Sequence, residues 1–185
     1  MLQIIIQGRG GQGAQTAGNL LAMAFFAQGR QVQCFASYGG ARRGTPVNSY
    51  LRVDDRPVRL RCDIERADAI LCFDASLLEG RLLATAHAGT HIVVNSARSA
   101  EHFEHVLPGY RVIPVDGLAI ARRHGLGRIV NSALLGALAR TLAAPPLEVL
   151  QRTLADSAPK LHDENLAACE EGFRRVHDQL QGVPA

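Results

Sequence analysis

Gly8-Arg9-Gly10-Gly11-Gln12-Gly13 spaces its glycines as G-x-G-x-x-G. Before it, Gln3–Gln7 is short, apolar and rich in isoleucine, the pattern of a buried strand. After it, Ala14–Gln28 repeats apolar or small residues at Ala14, Ala17, Leu21, Ala24 and Phe25, the period of a helix. A strand, a glycine turn and a helix start in that order can bind an anion. The glycines allow positive φ and close approach. The first helical amides lack acceptors and sit at the positive end of the helix dipole. A tight strand–helix turn with no ligand uses the same glycines, so the motif leaves both readings open.

A second loop follows the next strand, Gln31–Ala36. It reads Ser37-Tyr38-Gly39-Gly40-Ala41-Arg42-Arg43-Gly44-Thr45-Pro46. Loops after parallel strands share one edge of a sheet, so this loop is expected beside Gly8–Gly13. Adjacent arginines there could clamp a phosphate or a carboxylate, or pair with an acidic partner. A nicotinamide enzyme wants an acid at the end of the second strand for the ribose diol. None stands between Gln31 and Asp54. Arg42 or Arg43 would have to serve a ribose phosphate instead.

Other constellations fail on spacing. Cys34, Cys62, Cys72 and Cys169 include no C-x-x-C pair, so neither an iron–sulfur cluster nor structural zinc is expected on this chain. Glu101-His102-Phe103-Glu104-His105 is not H-E-x-x-H, and no serine sits in G-x-S-x-G. No catalytic residue and no metal ligand is assigned. Residues 1–61 hold eight arginines against Asp54 and Asp55, a net +6, while the rest of the chain is net −3. Of the twenty Lys and Arg residues only Lys160 is lysine. Two aspartates interrupt the basic run, and only Tyr38 and Tyr50 lie near it to stack bases, so nucleic acid is not the expected partner.

These residues must be positioned by an α/β fold. Further strands are expected at Val47–Val53, Pro57–Leu60, Ala67–Phe73, His91–Asn95 and Tyr110–Val115. Helices are expected at Leu77–His87, Ser99–Val106, Asp116–His124, Arg128–Leu142, Leu147–Ala155 and His162–Gln181. The alternation predicts a Rossmann-like, mostly parallel sheet with helices on both faces. Val47–Leu60 is a small antiparallel insertion, and the chain ends in a helical segment. With 185 residues, 47% hydrophobic and 20% charged, the expectation is a single domain over residues 1–185. No run approaches the ~20 apolar residues of a membrane span. No signal peptide is evident, so a cytoplasmic location is the default.

The two loops and their spacing resemble the gamma subunit of 2-oxoacid:ferredoxin oxidoreductases, the pyruvate and ketoisovalerate enzymes among them. The resemblance is carried by Gly8–Gly18, Phe35-Ala36-Ser37-Tyr38-Gly39, Arg42-Arg43-Gly44-Thr45-Pro46-Val47 and Leu51-Arg52-Val53. Ala67–Leu71 and Asn131–Leu138 fit as well, and the likeness runs from Met1 to about Arg175. The family often has an acid where Ala41 stands and proline where Ala36 stands.

The resemblance implies oxidative decarboxylation of a 2-oxoacid to acyl-CoA and CO2, with electrons passed to ferredoxin. Thiamine diphosphate and [4Fe–4S] clusters would then sit on alpha, beta and ferredoxin-like partner subunits. For this chain the resemblance implies coenzyme A handling and subunit assembly, with coenzyme A as its ligand. The residues implied are Gly8, Arg9, Gly10, Gly11, Gln12, Gly13, Ser37, Tyr38, Gly39, Arg42, Arg43 and Gly44. An indolepyruvate or 2-oxoglutarate enzyme of the same family is the nearest alternative. A stand-alone nucleotide-binding protein and a non-catalytic assembly module are the alternatives from other classes.

Overall fold

In the computed structural model, residues 1–38, 44–157 and 160–181 are described. Six strands form one sheet: β1 (Leu2–Arg9), β2 (Gln31–Tyr38), β3 (Pro46–Asp54), β4 (Ala69–Cys72), β5 (His91–Asn95) and β6 (Val112–Val115). Their order is β2-β3-β1-β4-β5-β6. β1, β4, β5 and β6 are parallel neighbours, and β3 runs antiparallel to both β1 and β2. The helices are α1 (Ala14–Ala27), α2 (Gly80–Leu83), α3 (Ala100–Val106), α4 (Gly117–Arg123), α5 (Asn131–Leu142), α6 (Leu147–Ser157) and α7 (His162–Gln181). The mostly parallel α/β architecture read from the sequence is the one observed. None of the helices among the described residues is long and apolar enough to cross a membrane.

The two faces are covered unequally. On the thick face, Ile4, Ile6, Leu71 and Val93 pack under residues from α1, α4, α5, α6 and α7. On the thin face, Ile5, Ile70, Ile92 and Val94 meet Ile64, Leu78, Leu82 and Phe103, from short elements and one loop. The fully buried Arg52 of β3 pins that loop down. Its guanidinium donates to Gln3 Oε1 and Gln33 Oε1, both at 3.1 Å, and to the carbonyls of Cys62 at 2.9 Å and Asp63 at 3.2 Å. Four acceptors converge on one cation, so the loop around residue 63 is fixed against the sheet.

Three expectations need correction. Pro57–Leu60 forms no strand. Both edges of β3 are taken by β1 and β2, which leaves no ladder for another strand to join. Leu77–His87 is a 3-10 turn (Ala75–Leu77) followed by the single turn α2. Leu78 at ψ 64° and Gly80 at φ +47° interrupt any continuous helix there. Ser37 and Tyr38 belong to β2 rather than to the loop after it.

Candidate functional site

The chain leaves β1 through α1 on the thick face and leaves β4 through α2 on the thin face. The switch point lies beyond the C-terminal ends of β1 and β4, where open α/β sheets bind ligands. A cleft of about 870 Å³ opens there, lined by the Gly10–Gly13 turn, Thr16, Phe73, Asn95 and the residues around Arg122 and Arg128–Asn131. The glycine motif thus meets elements more than a hundred positions away in the chain.

The turn is built by its own bonds. Gln12 Oε1 accepts from the Arg9 amide at 2.6 Å, and the Gln12 amide donates to the Arg9 carbonyl at 2.9 Å. The Gly10 amide donates to the Thr45 carbonyl at 2.9 Å. These amides are spent on the turn. The amides left to an anion are those opening α1, whose N-cap Gly13 makes no side-chain cap. Gly13 has φ +91°, and a Cβ there would also meet Asn131 Nδ2 at 2.6 Å. Asn131 donates to the Gly13 carbonyl at 3.0 Å, tying α5 to the turn. Asn95 does the same on the other side: its amide donates to the Phe73 carbonyl at 3.1 Å, and its oxygen accepts from Gly117 N at 3.0 Å. Ala14, Ala17 and Gly18 keep α1 slim, and a Cβ on Gly18 would run into the Ser49 side chain of β3.

Arg9 points elsewhere. Its guanidinium bonds Asp74 Oδ2 at 2.7 Å, Ser76 Oγ at 2.8 Å and the Gly44 carbonyl at 3.2 Å. It staples three loops on the ligand edge, and its charge is met by Asp74. Burial pushes the Asp74 carboxyl up, but bonds from Ser76 and Arg9 together hold it below the usual carboxylate range. A carboxyl depressed in the folded state adds stability above its unfolded pKa, and loses it as pH falls through the folded value. Asp74→Asn is therefore expected to lower the melting temperature at neutral pH. Its deficit should shrink from about pH 5 downward, approaching zero below the folded pKa. A deficit unchanged between neutral and acid pH would show that the pair contributes no pH-linked stability.

The other cleft cations come from the far end of the sheet. Glu171 of α7 binds Arg123, lies 2.8 Å from His124 Nε2, and takes Arg175 at 3.3 Å. This clasp holds α4 and leaves its neighbour Arg122 toward the cleft. Arg122 and Arg128 are exposed and make no ion pair or hydrogen bond among the described residues. Sequence reading missed both. The Arg122-Arg123 pair and the Gly127-Arg128 step were the available signals, but nothing local relates them to Gly8–Gly13.

Of the sequence-derived residues, Gly10, Gly11, Gln12 and Gly13 line this cleft, and Gly8 and Arg9 end β1 beneath it. Gly44, at φ +86°, reaches the same edge through Arg9. That adjacency of the two loops matches expectation. Ser37 lines a different groove, beside Gln7 and Asn48, and Tyr38 is exposed. Gly39, Arg42 and Arg43 lie outside the described residues. β3 stands between β1 and β2, so the end of β2 is not next to the glycine turn's strand, where a dinucleotide fold would place its ribose acid.

The cysteines do not gather. Cys72 and Cys169 are buried in the cores of opposite faces, and burial pushes each thiol up to about 12. No group of three or more potential metal ligands forms among the described residues.

Residues 3–175 match the model of the pyruvate ferredoxin/flavodoxin oxidoreductase family. The chain belongs to this family. A Thermococcus kodakarensis protein, the pyruvate/ketoisovalerate oxidoreductases common subunit gamma, is 37% identical across 95% of this chain and 97% of its own length. The gamma subunit of the NADH-dependent phenylglyoxylate dehydrogenase of Aromatoleum evansii is 34% identical across 95% and 94%. The crystal structure of the pyruvate oxidoreductase subunit PORC from Thermotoga maritima superposes with a TM-score of 0.82 at 29% identity, covering 94% of this chain and 95% of that one. The resemblance read from the two loops is thus the family found along nearly the whole chain.

Proposed function

We propose that this chain is the gamma-type subunit of a 2-oxoacid:ferredoxin oxidoreductase and that its switch-point cleft receives the phosphates of coenzyme A. The observation that carries the subunit role is the end-to-end match to gamma subunits. The uncapped start of α1 facing Arg122 and Arg128 supports the phosphate role. Arg42 and Arg43, which lie outside the described residues, would add to the same anion or meet a carboxylate of a partner.

Thiamine diphosphate and [4Fe–4S] clusters do not fit this chain's described residues. Its two buried thiols are held protonated on opposite faces, and no group of three or more potential metal ligands forms among the described residues. Those groups belong on alpha, beta and ferredoxin-like partners, with ferredoxin accepting the electrons. The relatives named above serve oxidoreductases of pyruvate, ketoisovalerate and phenylglyoxylate. A chain type shared by such different side chains points to partners that select the oxoacid, while this subunit serves the common acyl acceptor.

The test is reconstitution. The purified chain alone is expected to show no oxoacid-dependent reduction of ferredoxin or a dye. A complex lacking it should regain coenzyme A-dependent turnover when it is added back. Turnover by the metal-free, partner-free chain would overturn the proposal.

A further inference from the structure

The thin face carries a second polar site that the cleft does not use. Strand register puts Gln7, Asn48 and Ser37 in one row across β1, β3 and β2, with Ile5, Tyr50 and Phe35 in the next row of that face. Gln7 Nε2 donates to Asn48 Oδ1 at 2.7 Å, and Asn48 Nδ2 donates to the Tyr50 hydroxyl at 3.2 Å. Tyr50 faces the Asp63 carboxylate. Burial first, and then that carboxylate against the opposing Asn48 bond, push the phenol pKa up. Donation runs from Gln7 through Asn48 to the Tyr50 hydroxyl and polarises the row.

One acceptor is left over. Gln7 is 8% exposed, and its Oε1 is buried without a hydrogen-bond partner among the described residues. Two adjoining grooves, of about 450 and 310 Å³, open over it and share Gln7, Asn48, Tyr50, Asp63 and Arg81 as walls. Their described carboxylates are Asp63, Glu65 and Glu79, and their described cation is Arg81. Arg81 lies 3.7 Å from Asp63 with a side chain 92% exposed, a loose partner that an incoming group can displace. Asp63 itself is fixed, because Arg52 holds its carbonyl. The groove is thus acidic, although the first 61 residues carry a net +6.

We propose that this groove binds a cationic hydrogen-bond donor, a guanidinium or ammonium group, with Gln7 Oε1 as the inner acceptor and Asp63 and Glu79 as counter-charges. A buried carbonyl oxygen without a donor calls for an N–H or O–H, and two carboxylates beside it favour a positive one. The group can belong to a free small cation or to a basic side chain of a neighbouring subunit. The site stands on its own residues and does not depend on the coenzyme A reading.

Methylguanidinium is the probe, titrated into the isotopically labelled full chain while the side-chain amide signals of Gln7 and Asn48 are followed. A saturable shift is expected, and Gln7→Leu should abolish it while the melting temperature stays near wild type. Arg81→Gln should tighten binding at least ~3-fold by removing the internal competitor; an anion site would weaken instead. In the assembled complex the two sources separate. If a partner's basic side chain fills the groove, Gln7→Leu weakens association about 10-fold and methylguanidinium is excluded; if the cation is free, the complex binds it as the chain does. Absence of a saturable shift together with unchanged association overturns the proposal. So does a shift that survives Gln7→Leu, or one produced by acetate in place of the cation.

Discussion

Gly136→Ala or Gly172→Ala is expected to lower the melting temperature by about 6–12 °C, against the sign that helix propensity alone gives. Alanine is favoured over glycine in a helix interior by about 1 kcal/mol. Here that gain is outweighed. A Cβ on Gly136 of α5 would overlap the Cys169 carbonyl of α7, and a Cβ on Gly172 of α7 would overlap the Ala133 carbonyl of α5. The two contacts are reciprocal, and in each the obstacle is backbone, which no rotamer change can clear. Overpacking of this kind costs about 1–3 kcal/mol or more, and a rigid helix pair stands at the upper end. At roughly 2–4 °C per kcal/mol for a chain of this size, an overpacking cost of about 4 kcal/mol less the alanine gain of about 1 kcal/mol leaves about 3 kcal/mol and gives the stated range. Differential scanning calorimetry of each variant checks it. An unchanged or raised melting temperature would mean that α5 and α7 are not in backbone contact at Gly136 and Gly172. The consequence reaches the site, because α5 begins at Asn131, which holds the Gly13 carbonyl.

What could be read from the sequence was what depends on neighbours in the chain. The glycine turn was legible because positive φ at Gly11 and Gly13 is a local demand, and because a buried strand and a slim helix flank it. His162–Gln181 was legible from end to end because its apolar stripe is long, and Cys169 and Val176 are indeed buried. Leu77–His87 was misread because Leu77, Leu78, Leu82 and Leu83 satisfy a helical pattern that a 3-10 turn and one helical turn satisfy equally on the thin face. The place of β3 between β1 and β2 was not legible. Antiparallel character follows from a connection, but insertion between two strands already joined by α1 is decided by tertiary pairing. The same limit hid Arg122 and Arg128: the topology of the sheet brings them to Gly10–Gly13, and no spacing rule crosses that distance. Arg9 shows the converse error, since an arginine inside a phosphate-type motif invites a ligand role that the Asp74 carboxylate has already taken.

Arg122→Gln combined with Arg128→Gln is expected to raise the KM for coenzyme A in the reconstituted complex by about 30–150-fold. A hydrogen bond to a charged group is worth roughly 1.5–3 kcal/mol, but both side chains are exposed. Solvent screening lowers each to about 1–1.5 kcal/mol, so the pair contributes about 2–3 kcal/mol, and each 1.4 kcal/mol is tenfold. The melting temperature should stay within about 1 °C of wild type, because surface changes that break no internal bond are close to neutral. The wild-type KM should itself rise with ionic strength, and the double variant should show a shallower rise, since exposed charges separated by about 10 Å or more are screened at 0.1 M salt. KM for the oxoacid should be unchanged, because the cleft is assigned to the acyl acceptor. This pattern separates a phosphate site from a partner contact: a subunit interface built on these arginines would lose assembly at low protein concentration while keeping its coenzyme A KM once assembled. An unaltered KM in an intact complex would remove the phosphate assignment from the cleft and leave the glycine turn as the joint that Asn131 and Gln12 make of it.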